Sequence, residues 1–267
     1  MTELQSRLLT SVILIPLALF ALYFGGLPLV IALSVVAVVG TQEYILMLRN
    51  TGIQIKQYWI AVSLLLYLAL VYSNGMEIPL LWIALLLLLL EAVLFWDAKK
   101  SVPRSFAMLF GIVYTALFPA LIAKVGLLYP KQKILLALIL MIWIVDSIAY
   151  FVGMKFGKKR NVTAISPKKS LEGFLAGAIA PWLILIIMYI GKQRFLPLSQ
   201  MIVIAVAAGV FGQLGDLVES MLKRFCDVKD SSNLIPGHGG ILDRSDSILL
   251  AGSFLYCALI ILEKNVR

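Results

Sequence analysis

The chain has 267 residues, 61% of them hydrophobic and 14% charged, where a soluble domain would be about 45–50% apolar and 25% charged. That excludes a water-soluble enzyme, a coiled coil and a disordered regulator, and with only Cys226 and Cys257 neither a disulfide scaffold nor a thiolate zinc site can be built. The net charge of +9 would suggest nucleic acid in a soluble protein, but here the basic residues lie in short loops between apolar runs, which points to the cytoplasmic leaflet and to anionic substrates, with no nucleic-acid partner.

Nine apolar runs succeed one another, at about residues 8–25, 27–48, 58–72, 78–96, 105–129, 134–153, 174–190, 198–222 and 247–262. They are continuous and lack the alternation of porin strands, so each is expected to be a helix of roughly 20 residues crossing the bilayer. The first run has a short polar lead with Arg7 and no small-residue cleavage site, so it reads as an uncleaved span. The expected architecture is an all-α membrane protein, a polytopic bundle of about nine transmembrane helices forming one integral domain over residues 1–267. Counting Lys and Arg by segment puts sixteen on the N-terminal side of the membrane and seven on the other. The positive-inside rule then sets the N-terminus in the cytoplasm and the C-terminus outside, in a multi-pass cell-membrane protein. The two richest loops, about 154–173 and 216–247, are cytoplasmic in this reading.

The densest polar stretch is residues 212–247, with five aspartates, one glutamate, two arginines, two lysines and the only histidine. The eighth run continues into it without a breaker, and a helix from 198 to 224 would be about 40 Å long, longer than the hydrocarbon layer of roughly 30 Å. Asp216, Glu219, Ser220 and Lys223 recur on it at spacings of three and four, so they share one face at the membrane boundary. Beyond it, Pro236, Gly237, His238, Gly239 and Gly240 make a turn-rich loop whose glycines would let backbone amides approach a phosphate. Asp243, Arg244 and Asp246 add carboxylates for a hard cation and a guanidinium for phosphate. His238 has no Ser or Cys partner motif and is given at most a substrate-positioning part.

A second cluster, residues 153–173, carries six basic residues and the run Ser166-Pro167-Lys168-Lys169-Ser170. Anchoring accounts for part of its charge. A paired-lysine turn at a helix start also offers two ammonium groups and free N–H groups to phosphate. Just before it, Asp146 is a carboxylate embedded in a span, where such groups usually act. Glu43 and Glu91, near the ends of spans two and four, fit a place at the interface as well as an active part and are left out of the site.

The residues Ser220-Met-Leu-Lys223-Arg224, Lys229-Asp230 and Ile235-Pro-Gly-His-Gly-Gly-Ile-Leu-Asp-Arg-Ser-Asp246 together resemble the signature of the phosphatidate cytidylyltransferases, also called CDP-diacylglycerol synthases. Residues 215–219 and 165–173 are similar to that family as well. Ser245 stands where the family usually has a bulkier apolar residue, and Ser170-Leu171 where Thr-Trp is common. The resemblance implies transfer of a cytidylyl group from CTP to phosphatidate, giving CDP-diacylglycerol and pyrophosphate, with Mg²⁺ alone or with a second metal ion. On this reading Asp216, Glu219, Asp243, Asp246 and Asp146 hold metal. Lys223, Arg224, Lys229 and Arg244, with His238, serve the reacting phosphates. Ser166, Lys168, Lys169, Ser220, Gly237, Gly239 and Gly240 bind substrate. The nucleophile belongs to the lipid, which agrees with the lack of a Ser-His or Cys-His set.

Two rival readings remain. One is another CTP-dependent lipid enzyme, such as a polyprenol kinase. The other is a cation-coupled transporter using Asp146 and Asp216, which would have no need of ten basic residues and a glycine-rich loop on one face. Gly209, Gly212 and Gly215 suit close helix packing within one chain or in a homodimer.

Overall fold

A computed structural model describes residues 3–159, 165–192 and 195–266. The described residues form nine helices: α1 (Glu3–Phe24), α2 (Gly26–Arg49), α3 (Tyr58–Tyr72), α4 (Glu77–Leu94), α5 (Ser101–Leu128), α6 (Ile134–Phe156), α7 (Leu171–Ile190), α8 (Leu198–Phe225) and α9 (Leu242–Val266). Seven of these are long and apolar enough to cross a membrane. The apolar part of α1, Leu8–Phe24, and α3, with 15 residues, are shorter; at 1.5 Å per residue α3 reaches only about 22 Å. The chain is an all-α, polytopic membrane protein. Large side chains such as Ile78, Val93 and Leu94 of α4 are more than two-thirds exposed, as expected where lipid is the neighbour.

One difference from the sequence reading bears on the site. Helix α9 begins at Leu242, ahead of the apolar run that starts at 247, so Asp243, Arg244 and Asp246 lie on its first turns and not in a loop. Residues 216–225 form the end of α8, in agreement with the unbroken helix expected from 198 to about 224. Polar residues continue both helices because nothing in either stretch breaks the backbone ladder.

Contacts divide the chain into two compact units, Met1–Lys124 with Lys223–Ser245, and Val125–Leu222 with Asp246–Arg267. In the first unit, α2 packs on α3, α5 and α1, and α4 on α5. A π-helical turn, Val113–Leu117, interrupts α5 and carries Thr115, whose hydroxyl meets those of Thr41 (2.7 Å) and Ser63 (3.3 Å) in the core. In the second unit α6 packs along α7, and both pack on the π-helical turn Ala207–Gly212 of α8. Such π-helical turns are rare interruptions of an α-helix and are frequent at functional sites. Phe254 of α9 stacks on Phe211 there, ring centroids 3.9 Å apart.

Candidate functional site

In the second unit the start of α7 is built by the Ser166–Ser170 segment. Lys169 N–H donates to the Ser166 carbonyl (3.2 Å), closing a turn through Pro167, and the Ser170 hydroxyl caps the helix by accepting from Gly173 N–H (3.2 Å). Leu171 N–H donates to the Lys159 carbonyl (3.1 Å). The N–H groups of Leu171 and Gly173 are therefore spent, and the expectation that they are open to a phosphate is corrected: the capping serine and the preceding segment take them. Residues 160–164 of this cluster lie outside the described residues. Gly153 and Gly157 face Ser170 and Gly173 at short range, so they seat α6 against α7.

What this turn presents is charge. Lys168 is exposed. Lys169 reaches α8 and pairs with Asp216, Nζ to Oδ2 2.5 Å, both side chains 36% exposed. Ser220, one turn on, donates to Asp216 Oδ1 (3.3 Å). Asp146 of α6, at an exposed position, is within electrostatic reach of both Asp216 and Lys169. Glu219, three residues on from Asp216 along the same helix, is fully buried. Asp246 comes close to this group through the backbone: a Cβ on Gly215 would lie 2.5 Å from the Asp246 carbonyl oxygen. Asp246 Oδ1 accepts from Ser247 N–H (2.7 Å).

In the first unit the signature residues form a different arrangement. Lys223, near the end of α8, pairs with Asp243 at 2.6 Å, the side chains 13% and 3% exposed. The other oxygen of Asp243 accepts from Ser231 N–H (2.7 Å) and Gly240 N–H (2.8 Å), with the Ser231 hydroxyl at 2.8 Å. Within the loop, Pro236 and Gly237 (φ 75°) occupy the middle of a turn closed by His238 N–H to the Ile235 carbonyl (2.9 Å), the residue pattern of a type II turn. A single antiparallel bridge pairs Ile235 with Gly239. One of the three glycine N–H groups in this loop is already engaged. Gly240 N–H serves Asp243, and a Cβ on Gly240 would collide with the Ser231 hydroxyl and the Glu43 carboxylate.

His238 does not face the charged residues: its Nδ1 lies 2.9 Å from the Thr10 hydroxyl and its Nε2 3.2 Å from that of Ser11, both on α1. Lys229, Arg224 and Arg244 are exposed, and Arg224 also donates to the Val228 carbonyl (3.3 Å). Ser245 uses its hydroxyl on the Ile241 carbonyl (2.8 Å), which explains how a small polar residue is held at that buried place. Cys226, just past α8, is buried, and burial raises its thiol pKa. The residue that sequence reasoning missed is Glu43. It is 2% exposed and hydrogen-bonded to the signature loop.

The family model for the cytidylyltransferase family matches residues 5–262. The chain belongs to that family. Among curated relatives it is 50% identical over 118 residues to the phosphatidate cytidylyltransferase of Bacillus subtilis (strain 168), covering 44% of each chain. It is 42% identical over 130 residues to the enzyme of that name from Haemophilus influenzae, covering 47% of this chain and 45% of the relative. To the one from Thermotoga maritima it is 38% identical over 136 residues, covering 47% and 48%. These matches span a little under half the length of the relatives.

Cytidylyltransferase chemistry needs cationic groups around phosphates, and the donor set can be tested against a metal. Among the described residues, no three His, Cys, Asp or Glu side chains gather into one cluster. Asp243 has both oxygens engaged and takes a cation only if Lys223 leaves. Asp216 is half-exposed and already holds a cation, the Lys169 ammonium. The donors Asp216, Asp146 and Asp246 are all carboxylates, with no sulfur or imidazole among them. That chemistry fits a hard ion such as Mg²⁺, which binds one or two carboxylates and leaves the rest of its shell to water and substrate phosphate.

Proposed function

We propose that this chain transfers the cytidylyl group of CTP to phosphatidate, giving CDP-diacylglycerol and pyrophosphate. The observation that carries the reading is the pairing of Lys169 with Asp216. Two polar motifs remote in sequence meet as an exchangeable, half-exposed cation and carboxylate in a member of the cytidylyltransferase family. In the reaction a phosphate oxygen of the lipid forms a bond to the α-phosphorus of CTP while the bond to the bridging oxygen of the β-phosphate breaks, and pyrophosphate leaves. Both reactants are anions, so the protein's task is to gather positive charge.

Lys168 and Lys169 bind phosphate, with Ser166 beside them, and Asp216 is freed as Lys169 turns to substrate. Ser220 orients Asp216. Within the first unit, the exposed Arg224, Lys229 and Arg244 are cations available to phosphate, and Gly237 and Gly239 shape the loop there. Mg²⁺ held by Asp216 and Asp246, with Asp146 near, would neutralise the phosphates and favour departure of pyrophosphate. Asp243 and Glu219 are ligands only after rearrangement, and we assign them to the scaffold. The charge split of the loops supports a cytoplasmic N-terminus and an external C-terminus, with all nine helices crossing.

The test is pyrophosphate release from CTP by the purified protein with Mg²⁺. The reading expects release only when phosphatidate is present, together with a CDP-lipid. Release of CDP with a polyprenol acceptor would replace it by a lipid kinase, and no reaction with either lipid would refute the assignment.

A further inference from the structure

Glu43 is a buried carboxylate for which the proposed reaction has no direct use. It lies on α2, yet all of its hydrogen bonds go to the segment that leads into α9. Oε1 accepts from the Ser232 hydroxyl (2.6 Å) and Ile241 N–H (2.9 Å). Oε2 accepts from Leu242 N–H (3.0 Å), with the Ser231 hydroxyl also 3.0 Å away. That hydroxyl has one proton to share between Glu43 and Asp243, so the two carboxylates are linked through it.

The location explains why a charge is tolerated at 2% exposure. A helix begins with N–H groups that have no partner inside it, and an anion there also meets the positive end of the helix dipole. Usually a Ser, Thr, Asp or Asn just before the helix supplies the acceptor. Before α9 stands Ile241, which has none. Glu43 supplies it from another helix. In doing so it holds both ends of the 231–241 loop: Ser231 and Ser232 at one end, Ile241 and Leu242 at the other. The fit is close enough that Gly240 admits no Cβ against it.

We infer that Glu43 is a positioning residue for nucleotidyl transfer, clamping the signature loop so that Asp243 and Arg244 on the first turn of α9 and Lys229 ahead of the loop keep fixed places during turnover. It touches no substrate. The inference rests on the reaction proposed above. It differs from a purely structural cap in predicting that the loop loosens, and turnover falls, in molecules that are otherwise folded.

The experiment compares wild type, Glu43→Gln and Glu43→Asp in detergent. It measures phosphatidate-dependent pyrophosphate release and, by mass spectrometry, hydrogen exchange along the chain. Gln keeps the shape and one acceptor but removes the charge. It should lower kcat per folded molecule by about tenfold or more, as losing a group that orients a first contact does. The KM for phosphatidate should stay within about twofold, and exchange should rise over 231–242 but not in α6 or α7. Asp, which keeps the charge on a shorter arm, should regain part of kcat. A Gln variant with wild-type kcat per folded molecule overturns the inference, as does an unchanged exchange pattern. If wild type itself releases no pyrophosphate, the proposed reaction fails instead, and loosening of 231–242 in the Gln variant still reads the clamp. Should Glu43→Gln not accumulate, Ser232→Ala removes one donor and carries the same test: a smaller fall in kcat with local loosening is expected, and no change in either overturns the inference.

Discussion

Two lysine–aspartate pairs in this protein have nearly the same length and opposite surroundings. Lys169 and Asp216 are each 36% exposed and have one further partner, Ser220. Lys223 and Asp243 are 13% and 3% exposed, and Asp243 also takes two backbone N–H groups. An exposed pair is worth little to stability, so exchanging it for a ligand costs little. A buried pair is weak as a source of stability when whole, but removing one member leaves a charge without compensation. The difference teaches that charge in the signature segments is divided between a half-exposed, exchangeable pair and a buried, architectural one, and under the proposed function the first serves binding.

The comparison breaks most readily at Asp243. Asp243→Asn takes the buried carboxylate away from the Lys223 ammonium and should destabilise the protein by about 3–5 kcal/mol. Thermal unfolding in detergent would show it; an unchanged midpoint would mean that the pair is dispensable to the fold. Next comes the exposed turn. Lys168→Gln with Lys169→Gln removes the two proposed phosphate contacts and should cut phosphatidate-dependent pyrophosphate release by about a hundredfold to a thousandfold. Insertion and the melting midpoint should be normal, and normal release would leave this cluster only an anchoring part. The smallest effect is that of salt. Raising ionic strength from about 0.05 to 0.5 M screens exposed charges but hardly reaches buried ones. The KM for CTP should therefore rise several-fold while the unfolding midpoint barely moves, and a midpoint as salt-sensitive as KM would blur the distinction.

Much of this was legible in the sequence. Long apolar runs marked the helices because lipid demands them, and the spacing of Asp216, Ser220 and Lys223 placed them on one helix. What sequence spacing could not give was burial. Asp216 and Asp243 look alike in the sequence, since the donors that saturate Asp243 come from a loop whose path is set by tertiary contacts. The start of α9 was missed because an apolar-run criterion stops at the first charge, whereas a helix needs only capped N–H groups. Glu43 was missed because its hydrogen-bond partner Ser231 lies 188 residues away, and a lone carboxylate near a span end reads the same whether it faces water or a buried helix start. The available signal was its setting in VVGTQEYILML, apolar enough on both sides to make an uncompensated charge costly.

The central claim, that the exposed pair belongs to the chemistry and not to the fold, is tested most directly by turnover per folded molecule of Asp216→Asn. The account predicts a protein that melts within a few degrees of wild type and releases pyrophosphate at least about a hundredfold more slowly across a Mg²⁺ titration. A variant whose folded molecules turn over at the wild-type rate would contradict it.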